Sequence, residues 1–319
     1  MNGRKKISIL IPAYNEQEVL RHLYERLNKL AGDTTAYDFE FLFVNDGSRD
    51  KTLEIIKGLA KDDHRIAYVN LSRNFGKETA MIAGLDHVTG DAAVIIDADL
   101  QDPPELIPKM IAFWEEGFDD VYARRSSRNG ETWLKKATST AFYRILQRST
   151  RIPIQQDTGD FRLLDRRCVE ALRQMRESQR YTKGMFSWIG YKKKEIVYER
   201  EARMAGSSKW NYFQLVNLAI EGIVSFTTSP LRFSTYAGVL VSFFAFLYMI
   251  YLVVRTLLNG SDLAGYPSMM AAILFLGGVQ LLSLGIIGEY VGRIFNETKD
   301  RPLYFVEEYH ASDKNLHKK

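Results

Sequence analysis

Two long uncharged stretches near the end of the chain constrain its fold more than any other feature. The first, Phe233 to Val254, has 22 residues, and the second, Leu263 to Gly288, has 26. A helix needs about 20 residues to cross the hydrocarbon core of a bilayer, because it rises about 1.5 Å per residue. Only the link from Arg255 to Asp262 separates the two stretches, so the sequence predicts a transmembrane hairpin with helices at about 233–255 and 266–289. The alternative is a pair of buried helices in a soluble protein.

The charge around the hairpin predicts its orientation. The link carries Arg255 as its only basic residue, whereas the flanks carry Arg203, Lys209, Arg232, Arg293, Lys299 and Arg301. Because basic flanks stay on the cytoplasmic side of a membrane, both chain ends are predicted to be cytoplasmic. The first residues, Met-Asn-Gly-Arg-Lys-Lys, lead into a strand-like run and not into the apolar core of a signal peptide, so export is not expected.

The chain therefore divides into four predicted segments. Residues 1–205 mix polar and apolar positions and form a cytoplasmic domain. Residues 206–230 are predicted to form an amphipathic helix in the membrane interface, with ordinary packing against the large domain as the alternative. Residues 231–292 form the hairpin, and residues 293–319 form a cytoplasmic tail.

The composition excludes several classes of protein. Of 319 residues, 43 are Lys or Arg and 39 are Asp or Glu, and this net charge of +4 is too small to indicate a nucleic-acid partner. Cys168 is the single cysteine, so no disulfide can form within the chain. The five histidines are scattered and do not suggest a zinc site.

The N-terminal domain alternates strand-like and helix-like segments. Strands are predicted at Ile7–Ile11, Phe39–Val44, Ile66–Leu71 and Ala92–Ile96, each a short apolar run. A helix is predicted after each strand, and the last one opens at Pro103-Pro104. Repeated strand–helix units predict an α/β fold with a mostly parallel sheet, whose ligands bind at the carboxyl ends of the strands.

Polar motifs follow all four predicted strands. They are Pro12-Ala-Tyr-Asn-Glu16, Asn45-Asp-Gly-Ser48, Ser72-Arg-Asn-Phe-Gly-Lys77 and Asp97-Ala-Asp-Leu-Gln-Asp-Pro-Pro104. Asp97 and Asp99 are two residues apart, so both carboxylates lie on the same side of an extended segment. Hard divalent cations such as Mg²⁺ and Mn²⁺ prefer such oxygens and are often shared with substrate phosphates. The strand ends therefore predict a site for a metal–phosphate ligand.

Other nucleotide-binding and catalytic motifs are missing from the sequence. No Gly-x-Gly-x-x-Gly follows the first strand, as a Rossmann cofactor site would require. Gly76-Lys77-Glu78 lacks both the upstream glycine and the Ser or Thr of a P-loop. No Gly-x-Ser-x-Gly motif of a hydrolase occurs. A transferase that uses a nucleotide diphosphate is the class that remains.

These motifs, together with Gly159-Asp-Phe-Arg162 and Arg203-x-x-Gly-x-Ser-Lys209, resemble glycosyltransferase family 2. More narrowly, they resemble its polyprenyl-phosphate glycosyltransferases: the bactoprenol glucosyltransferases and, at greater distance, the dolichol-phosphate mannose synthases. The likeness extends from about Ile7 to Arg293. It implies a GT-A domain followed by the transmembrane hairpin. It also implies transfer of a sugar from a nucleotide diphosphate to a polyprenyl phosphate, with inversion of the anomeric carbon.

The resemblance implies roles for the residues of the donor site. Asp97, Asp99 and Gln101 would hold Mg²⁺ or Mn²⁺ against the diphosphate, and Asp46 would face the base. Arg125 would contact the phosphates, with its neighbour Arg124 as the alternative. The residues implied in nucleotide binding are Pro12, Tyr14, Glu16, Asp46, Lys77 and Asp97.

The resemblance also implies residues for the acceptor and for catalysis. Arg128, Arg203 and Lys209 would bind the acceptor phosphate or stabilise the leaving group. Asp157, Asp99 and Arg125 are the implied catalytic residues, and Asp157 and Asp160 lie where related enzymes place a base. A phosphate acceptor is already largely ionised at neutral pH, so a strong base is less necessary than for a hydroxyl acceptor. The alternative for Asp160 is a helix cap or an ion pair with Arg162.

The predicted protein is thus a multi-pass enzyme of a bacterial inner membrane that uses a nucleotide sugar and polyprenyl phosphate. The resemblance favours UDP-glucose as donor, and GDP-mannose, a UDP-N-acetylhexosamine or an aminoarabinose sugar are the alternatives. A non-catalytic membrane scaffold is a further alternative. A processive polysaccharide synthase is disfavoured, because no Gln-x-x-Arg-Trp motif occurs. Some relatives assemble as tetramers, which suggests a homo-oligomer.

Overall fold

The computed structural model describes residues 4–126, 158–178, 180, 182–198, 229–259 and 265–312. The chain divides into two compact units, one of residues 1–216 with 302–319 and one of residues 217–301. The predicted interfacial helix at 206–230 lies almost entirely outside the described residues.

In the described residues, the first unit is built on an eight-stranded sheet. Its strands are β1 (Lys6–Ala13), β2 (Asp38–Asn45), β3 (Ile66–Leu71), β4 (Ala92–Ile95), β5 (Asp120–Arg125), β6 (Thr158–Asp165), β7 (Lys193–Tyr198) and β8 (Val306–His310). Its described helices are α1 (Leu20–Asp33), α2 (Thr52–Asp62), α3 (Lys77–His87), α4 (Ile107–Glu115), α5 (Arg166–Gln174) and α6 (Thr182–Trp188). The second unit contains α7 (Ser229–Asn259) and α8 (Tyr266–Thr298).

The first four strands and their helices form where the apolar runs predict them. β3 has its predicted bounds, and α3 is one of the helices predicted to follow the strands. Both β1 and β2 are buried along seven of their eight residues, as expected for central strands covered on both faces. Pro104 starts a single 3-10 turn that leads into α4, and proline suits such a helix start because it lacks an N–H group.

The strand order is β7-β5-β6-β4-β1-β2-β3-β8. β4, β1, β2 and β3 run parallel to one another, so the α/β fold with a mostly parallel centre is confirmed. The chain adds β2 and β3 on one side of β1 and then crosses to add β4 on the other side. This reversal leaves a crevice at the carboxyl ends of β1 and β4, which is where open α/β sheets bind their ligands.

β6 enters the sheet antiparallel to β4, and its register brings a second motif to that crevice. Ile95 of β4 lies opposite Arg162 of β6. Because the two strands run antiparallel, Asp97, two residues after Ile95, and Asp160, two residues before Arg162, are brought to the same point beyond the end of β4. Two motifs more than sixty residues apart in the chain thus meet at one end of the sheet.

A buried ion pair joins β6 to β5. The Arg162 and Asp120 side chains are completely buried, and Arg162 Nη1 lies 3.1 Å from Asp120 Oδ2. Lys193 of β7 approaches the same carboxylate at 3.3 Å. The Arg162 guanidinium also lies 3.7 Å from the centre of the Phe186 ring on α6. This cluster connects three strands and a helix on the antiparallel side of the sheet.

The second unit is a pair of long apolar helices. Within α8, the stretch Phe275–Thr298 has 24 residues and contains an 18-residue window with a mean hydropathy of 1.4, so it is long and apolar enough by composition to cross a membrane. Ser234–Tyr248 in α7 is a shorter apolar stretch. Leu281 and Leu282 are 72% and 61% exposed, and extended apolar surfaces of this kind are typical of membrane or partner contacts.

The segment that follows the helices was expected to be a tail, but part of it is a strand. β8 pairs antiparallel with β3 and forms one edge of the sheet. Tyr304 donates a hydrogen bond of 2.6 Å to Asp86, and the rings of His87 and Tyr309 lie 4.7 Å apart. The chain therefore leaves the first unit, forms the helical pair and returns to complete the sheet.

Candidate active site

The loops after β1 and β2 are hydrogen-bonded to each other. The backbone N–H of Asn15 donates to Ser48 Oγ at 3.0 Å, and the N–H of Arg49 donates to Asn15 Oδ1 at 2.9 Å. The N–H of Glu16 donates to Thr52 Oγ1 at 2.8 Å. Asn15 has a φ of 56°, a conformation that asparagine tolerates better than most residues. This network fixes the segment that carries Pro12 and Tyr14, and the Tyr14 ring is 42% exposed beside it.

Asp46 holds the loop between β3 and α3. Its Oδ1 accepts a hydrogen bond of 2.7 Å from the N–H of Phe75, and its Oδ2 accepts one of 2.9 Å from the N–H of Gly76. Burial raises the pKa of Asp46, and these two amides oppose that shift. The adjacent Gly47 has a φ of +62°, and a Cβ there would lie 2.4 Å from the carbonyl carbon of Arg73. Only glycine allows the two loops to approach so closely.

Asp97 and Asp99 follow β4 in a tight turn. Asp99 Oδ1 accepts a hydrogen bond of 3.2 Å from the N–H of Gln101. Leu100, between Asp99 and Gln101, is buried and has a φ of 58°, which is rare for a bulky residue. Backbone in this conformation persists only where its surroundings enforce it, and such positions cluster at functional sites.

Lys77 connects the carboxylates of two different motifs. Its Nζ lies 2.6 Å from Asp97 Oδ1 and 2.6 Å from Asp160 Oδ2. Burial would lower the pKa of Lys77, but the two carboxylates outweigh it and raise the pKa well above its usual value. Burial would raise the pKa of Asp160, but Lys77 outweighs it and lowers that pKa. We call Lys77, Asp97 and Asp160 the rim cluster.

The rim cluster overturns one alternative from the sequence. Asp160 does not form an ion pair with Arg162, because Arg162 is paired with the buried Asp120. Asp97 and Asp160 differ in the direction of their pKa shifts. The pKa of Asp97 is raised, because burial raises it and Lys77 only partly offsets this. The charge of Asp99 adds to the shift, so the carboxylates repel one another at this end of the sheet. A further cation would relieve that repulsion.

Arg124 and Arg125 differ in their surroundings. Arg124 Nε lies 2.9 Å from Glu195 Oε1, and both side chains are more than one-third exposed. Arg125 faces β6, where a Cβ on Gly159 would lie 3.5 Å from its Nη2, and its buried Nε has no hydrogen-bond partner among the described residues. Arg125 therefore lies beside Gly159, the residue that precedes Asp160 of the rim cluster.

Two charged residues that the motifs did not single out lie at the same place. Lys183, near the start of α6, is close enough to Asp160 and Arg125 to feel both charges, and burial lowers its pKa. Glu78 follows Lys77 in α3, and burial is the largest cause that raises its pKa to about 7. Glu78 directly follows the motif that ends at Lys77, whereas no signal in the sequence placed Lys183 here.

The structure places the residues predicted from the strand ends at one end of the sheet, and other predicted residues lie outside its described part. Asp46, Lys77, Asp97, Asp99 and Gln101 all lie in loops or helix starts at the carboxyl ends of the parallel strands. The remaining predicted residues, Arg128, Asp157, Arg203 and Lys209, lie outside the described part of the chain.

The donor set at Asp97 and Asp99 suits a hard divalent cation that is shared with a substrate. Among the described residues, no group of three or more His, Cys, Asp or Glu side chains converges as a complete metal site. Mg²⁺ commonly uses one or two carboxylates and takes its other ligands from phosphates and water. Two neighbouring carboxylates therefore fit a metal that arrives with a diphosphate better than one held by protein alone.

Comparison with known proteins defines the class. Residues 8–173 match the model of glycosyl transferase family 2, and residues 229–294 match that of the GtrB C-terminal hairpin. The chain belongs to glycosyltransferase family 2 and is a glycosyltransferase, with the GT-A architecture of that family followed by a helical hairpin.

Its relatives include bactoprenol glucosyl transferases. The chain is 44% identical to the bactoprenol glucosyl transferase of Shigella phage SfX over 95% of this chain and 99% of the relative. It is 49% identical to an uncharacterized glycosyltransferase of Synechocystis over 95% of each chain. The crystal structure of mannosyl-3-phosphoglycerate synthase from Rubrobacter xylanophilus aligns with a TM-score of 0.47 at 17% identity, over 68% of this chain and 71% of that one.

Proposed function

We propose that this enzyme transfers a sugar from a nucleotide diphosphate to a polyprenyl phosphate at the cytoplasmic face of a membrane. The similarity to bactoprenol glucosyl transferases over nearly the whole length of both chains supports the acceptor and favours glucose as the sugar. UDP-glucose is the proposed donor, and Mg²⁺ or Mn²⁺ the proposed metal. The observation that carries the proposal is the rim cluster, which gathers charges of both signs at the crevice of the sheet.

The donor would bind across the loops that follow the parallel strands. Pro12, Tyr14 and Glu16 would line the nucleoside pocket. Asp46 orders the loop that carries Phe75 and Gly76, and each of its carboxylate oxygens retains a second lone pair for the base. The diphosphate would then extend toward Asp97 and Asp99, with Gln101 beside them.

The transfer step would require charge compensation more than proton transfer. An oxygen of the acceptor phosphate would attack the anomeric carbon while the bond from that carbon to the diphosphate oxygen breaks, which inverts the configuration. A divalent cation at Asp97 and Asp99 would supply Lewis-acid stabilisation of the departing diphosphate. Arg125 and Lys183 would offset the remaining charge, and arginine suits phosphate because of its bidentate fork.

The acceptor side of the site rests on the resemblance. Arg128, Arg203 and Lys209 are proposed to bind the acceptor phosphate, and Asp157 to assist the attack. The helical hairpin is proposed to span the membrane twice with both chain ends in the cytoplasm, which follows from the basic flanks. Anchoring would keep the domain at the surface where the phosphate head of the lipid acceptor lies.

A donor screen tests this function. The full chain purified in detergent is given polyprenyl phosphate, Mn²⁺ or Mg²⁺ and, one at a time, UDP-glucose, GDP-mannose, UDP-N-acetylglucosamine and a UDP-aminoarabinose derivative. We expect labelled lipid product from UDP-glucose that a chelator abolishes. Asp99→Asn should lower the rate at least about a hundredfold, because it removes a charge that acts on the reacting diphosphate.

Asp62→Asn is the matched control. Asp62 is an exposed aspartate at the end of α2, so its substitution should leave the rate unchanged. Product from a different donor would replace the proposed sugar but keep the class of reaction. No lipid product from any donor, with the chain folded, would overturn the proposed acceptor and favour the scaffold alternative.

A further inference from the structure

The Glu307 side chain connects the C-terminal strand β8 to its neighbour β3 and, through β3, to β2. Asn70 Nδ2 on β3 donates a hydrogen bond of 2.9 Å to Glu307 Oε2 on β8. Asn70 Oδ1 in turn accepts one of 2.7 Å from Asn45 Nδ2 on β2. Asn45 and Asn70 are almost completely buried, so this is a continuous polar chain that crosses three adjacent strands.

The polar chain ends next to the loops after β2 and β3. We call these the nucleotide loops, because they are proposed to bind the nucleotide. Asn45 immediately precedes Asp46, whose carboxylate holds the N–H groups of Phe75 and Gly76. Asn74 Nδ2 also donates to the backbone oxygen of Asp46 at 3.2 Å. The hydrogen bonds that hold the Asn45 and Asn70 side chains therefore also hold the ends of β2 and β3, which lead into these loops.

A second contact ties the same loop to the C-terminal segment. The backbone N–H of Ser72, the first residue after β3, donates a hydrogen bond of 3.0 Å to the carbonyl oxygen of Phe305. The ladder shifts its register between Asn70 and Leu71, where β3 gives way to the loop. The segment 305–307 thus supports the start of the loop from both backbone and side chain.

The neighbouring residue on β8 has a different set of contacts. Glu308 forms an ion pair with Lys57 of α2 and accepts a hydrogen bond of 2.7 Å from the Tyr68 hydroxyl. Neither partner belongs to the nucleotide loops. Two adjacent glutamates on one strand therefore provide a test residue and a matched control.

We propose that β8 is part of the donor site and that Glu307 is a positioning residue, which acts through Asn70 and Asn45 on the loops that bind the nucleoside diphosphate. The inference rests on the proposed function. It implies that the nucleotide site is complete only after the chain has passed through the helical hairpin and returned to the sheet, so that donor binding depends on the segment beyond the hairpin.

Nucleotide binding by calorimetry tests the proposal on the full chain in detergent, with UDP and Mn²⁺, and with GDP in parallel. Glu307→Ala leaves the buried Asn70 amide without its acceptor, and we expect UDP binding to weaken about threefold to tenfold. Glu307→Gln keeps an acceptor oxygen and should recover most of the affinity. Glu308→Ala should bind UDP as the wild type does.

Kinetics separate a positioning role from general damage to the fold. Glu307→Ala should raise the KM for the donor by the same factor and leave kcat unchanged, with a melting temperature no lower than that of Glu308→Ala. On an Asn70→Ala background, Glu307→Ala should change UDP binding less than about twofold, because the polar chain from Glu307 to Asn45 is already broken.

Two results would overturn the proposal in different ways. If the wild type binds UDP or GDP and Glu307→Ala binds it equally well, or if Glu308→Ala loses as much affinity, Glu307 has no positioning role. If the wild type binds neither nucleotide, the proposed function fails and the inference fails with it.

Discussion

Strand β6 contributes to two charge clusters, the buried cluster around Arg162 and Asp120 and the rim cluster. The two differ in how far their charges are exposed to solvent. Arg162 and Asp120 have no exposed side-chain surface, and they are closed in by Phe186 and Lys193. Two residues away, Asp160 retains 15% exposure and its partner Lys77 retains 45%. The rim cluster has two carboxylates for one ammonium, whereas the buried cluster has one carboxylate for two cations.

The difference separates stability from function along a single strand. A fully buried pair cannot exchange partners, and removal of one member leaves an uncompensated charge in the interior. In the rim cluster, a metal ion can replace the ammonium beside the carboxylates, or a phosphate can pair with the released ammonium, at little cost in folding. We therefore expect substitutions in the two clusters to affect different measurements.

Asp120→Ala should have the largest effect, and it should be on stability. It leaves Arg162 and Lys193 without their carboxylate, at a cost of about 3–5 kcal/mol in the free energy of unfolding. Burial is the largest cause that lowers the pKa of Lys193 in this cluster. Chemical denaturation of the detergent-solubilised chain, followed by tryptophan fluorescence, measures the loss.

Glu195→Gln is the control for that measurement. Glu195 pairs with Arg124 on the same side of the sheet, but both side chains are more than one-third exposed. Such pairs contribute about 0–1 kcal/mol. A loss of less than 1 kcal/mol for Asp120→Ala would show that the buried cluster does not stabilise the antiparallel side of the sheet.

Asp160→Asn should have the next largest effect, and it should be on turnover. We expect the rate of lipid-product formation to fall about a hundredfold, because the substitution removes one of the two charges that hold Lys77, a residue proposed to bind the nucleotide diphosphate. The melting temperature should stay within about 2 °C of the wild type, since Lys77 is 45% exposed and keeps Asp97 as its partner when residue 160 is neutral. Product assays and thermal unfolding on the same preparation measure both.

Lys77→Met sharpens this result. Because Lys77 and Asp160 act as one unit, the double variant should be no slower than the slower single variant. Multiplicative losses, or an Asp160→Asn chain as unstable as Asp120→Ala, would remove the distinction between the two clusters.

The same comparison shows what the sequence could predict. The parallel strands and the carboxylates after β4 were predictable, because apolar runs and strand-end motifs are local signals. The partner of Asp160 was not, since Arg162 is closer in sequence than Lys77. Only the antiparallel register of β6 against β4 brings Asp160 to Asp97 and leaves Arg162 beside Asp120.

Strand β8 was also beyond local signals. Val306-Glu-Glu-Tyr-His310 has no apolar alternation that would predict a strand, and it is largely exposed. It forms because β3 offers an unpaired edge and because Glu307 and Glu308 find partners in Asn70 and Lys57. Pairings of this kind depend on tertiary context, which outweighs intrinsic preference at sheet edges.

Glu78→Gln should have a smaller effect than Asp120→Ala and Asp160→Asn. It tests whether the buried environment around the rim cluster extends to Glu78. Burial raises the pKa of Glu78 from 4.5 to about 7, with the charge of Asp160 adding to the shift. In the unfolded chain the group titrates near 4.5, so between pH 4.5 and 7 the folded chain holds a proton that the unfolded chain has lost. The free energy of unfolding therefore falls as the pH rises through this window, and the full cost is present above pH 7.

The neutral glutamine lacks that cost. Glu78→Gln should stabilise the chain by about 1–2 kcal/mol at pH 8, less than the whole shift would give because the side chain is partly exposed, and by nothing at pH 4. Thermal unfolding from pH 4 to 8 measures the difference. Glu25→Gln is the control, because Glu25 is 71% exposed on α1 and should show no pH-dependent gain. A Glu78→Gln curve parallel to the wild type at every pH would mean that Glu78 is ionised in the folded chain at no cost, and that the low-dielectric region ends at Lys77.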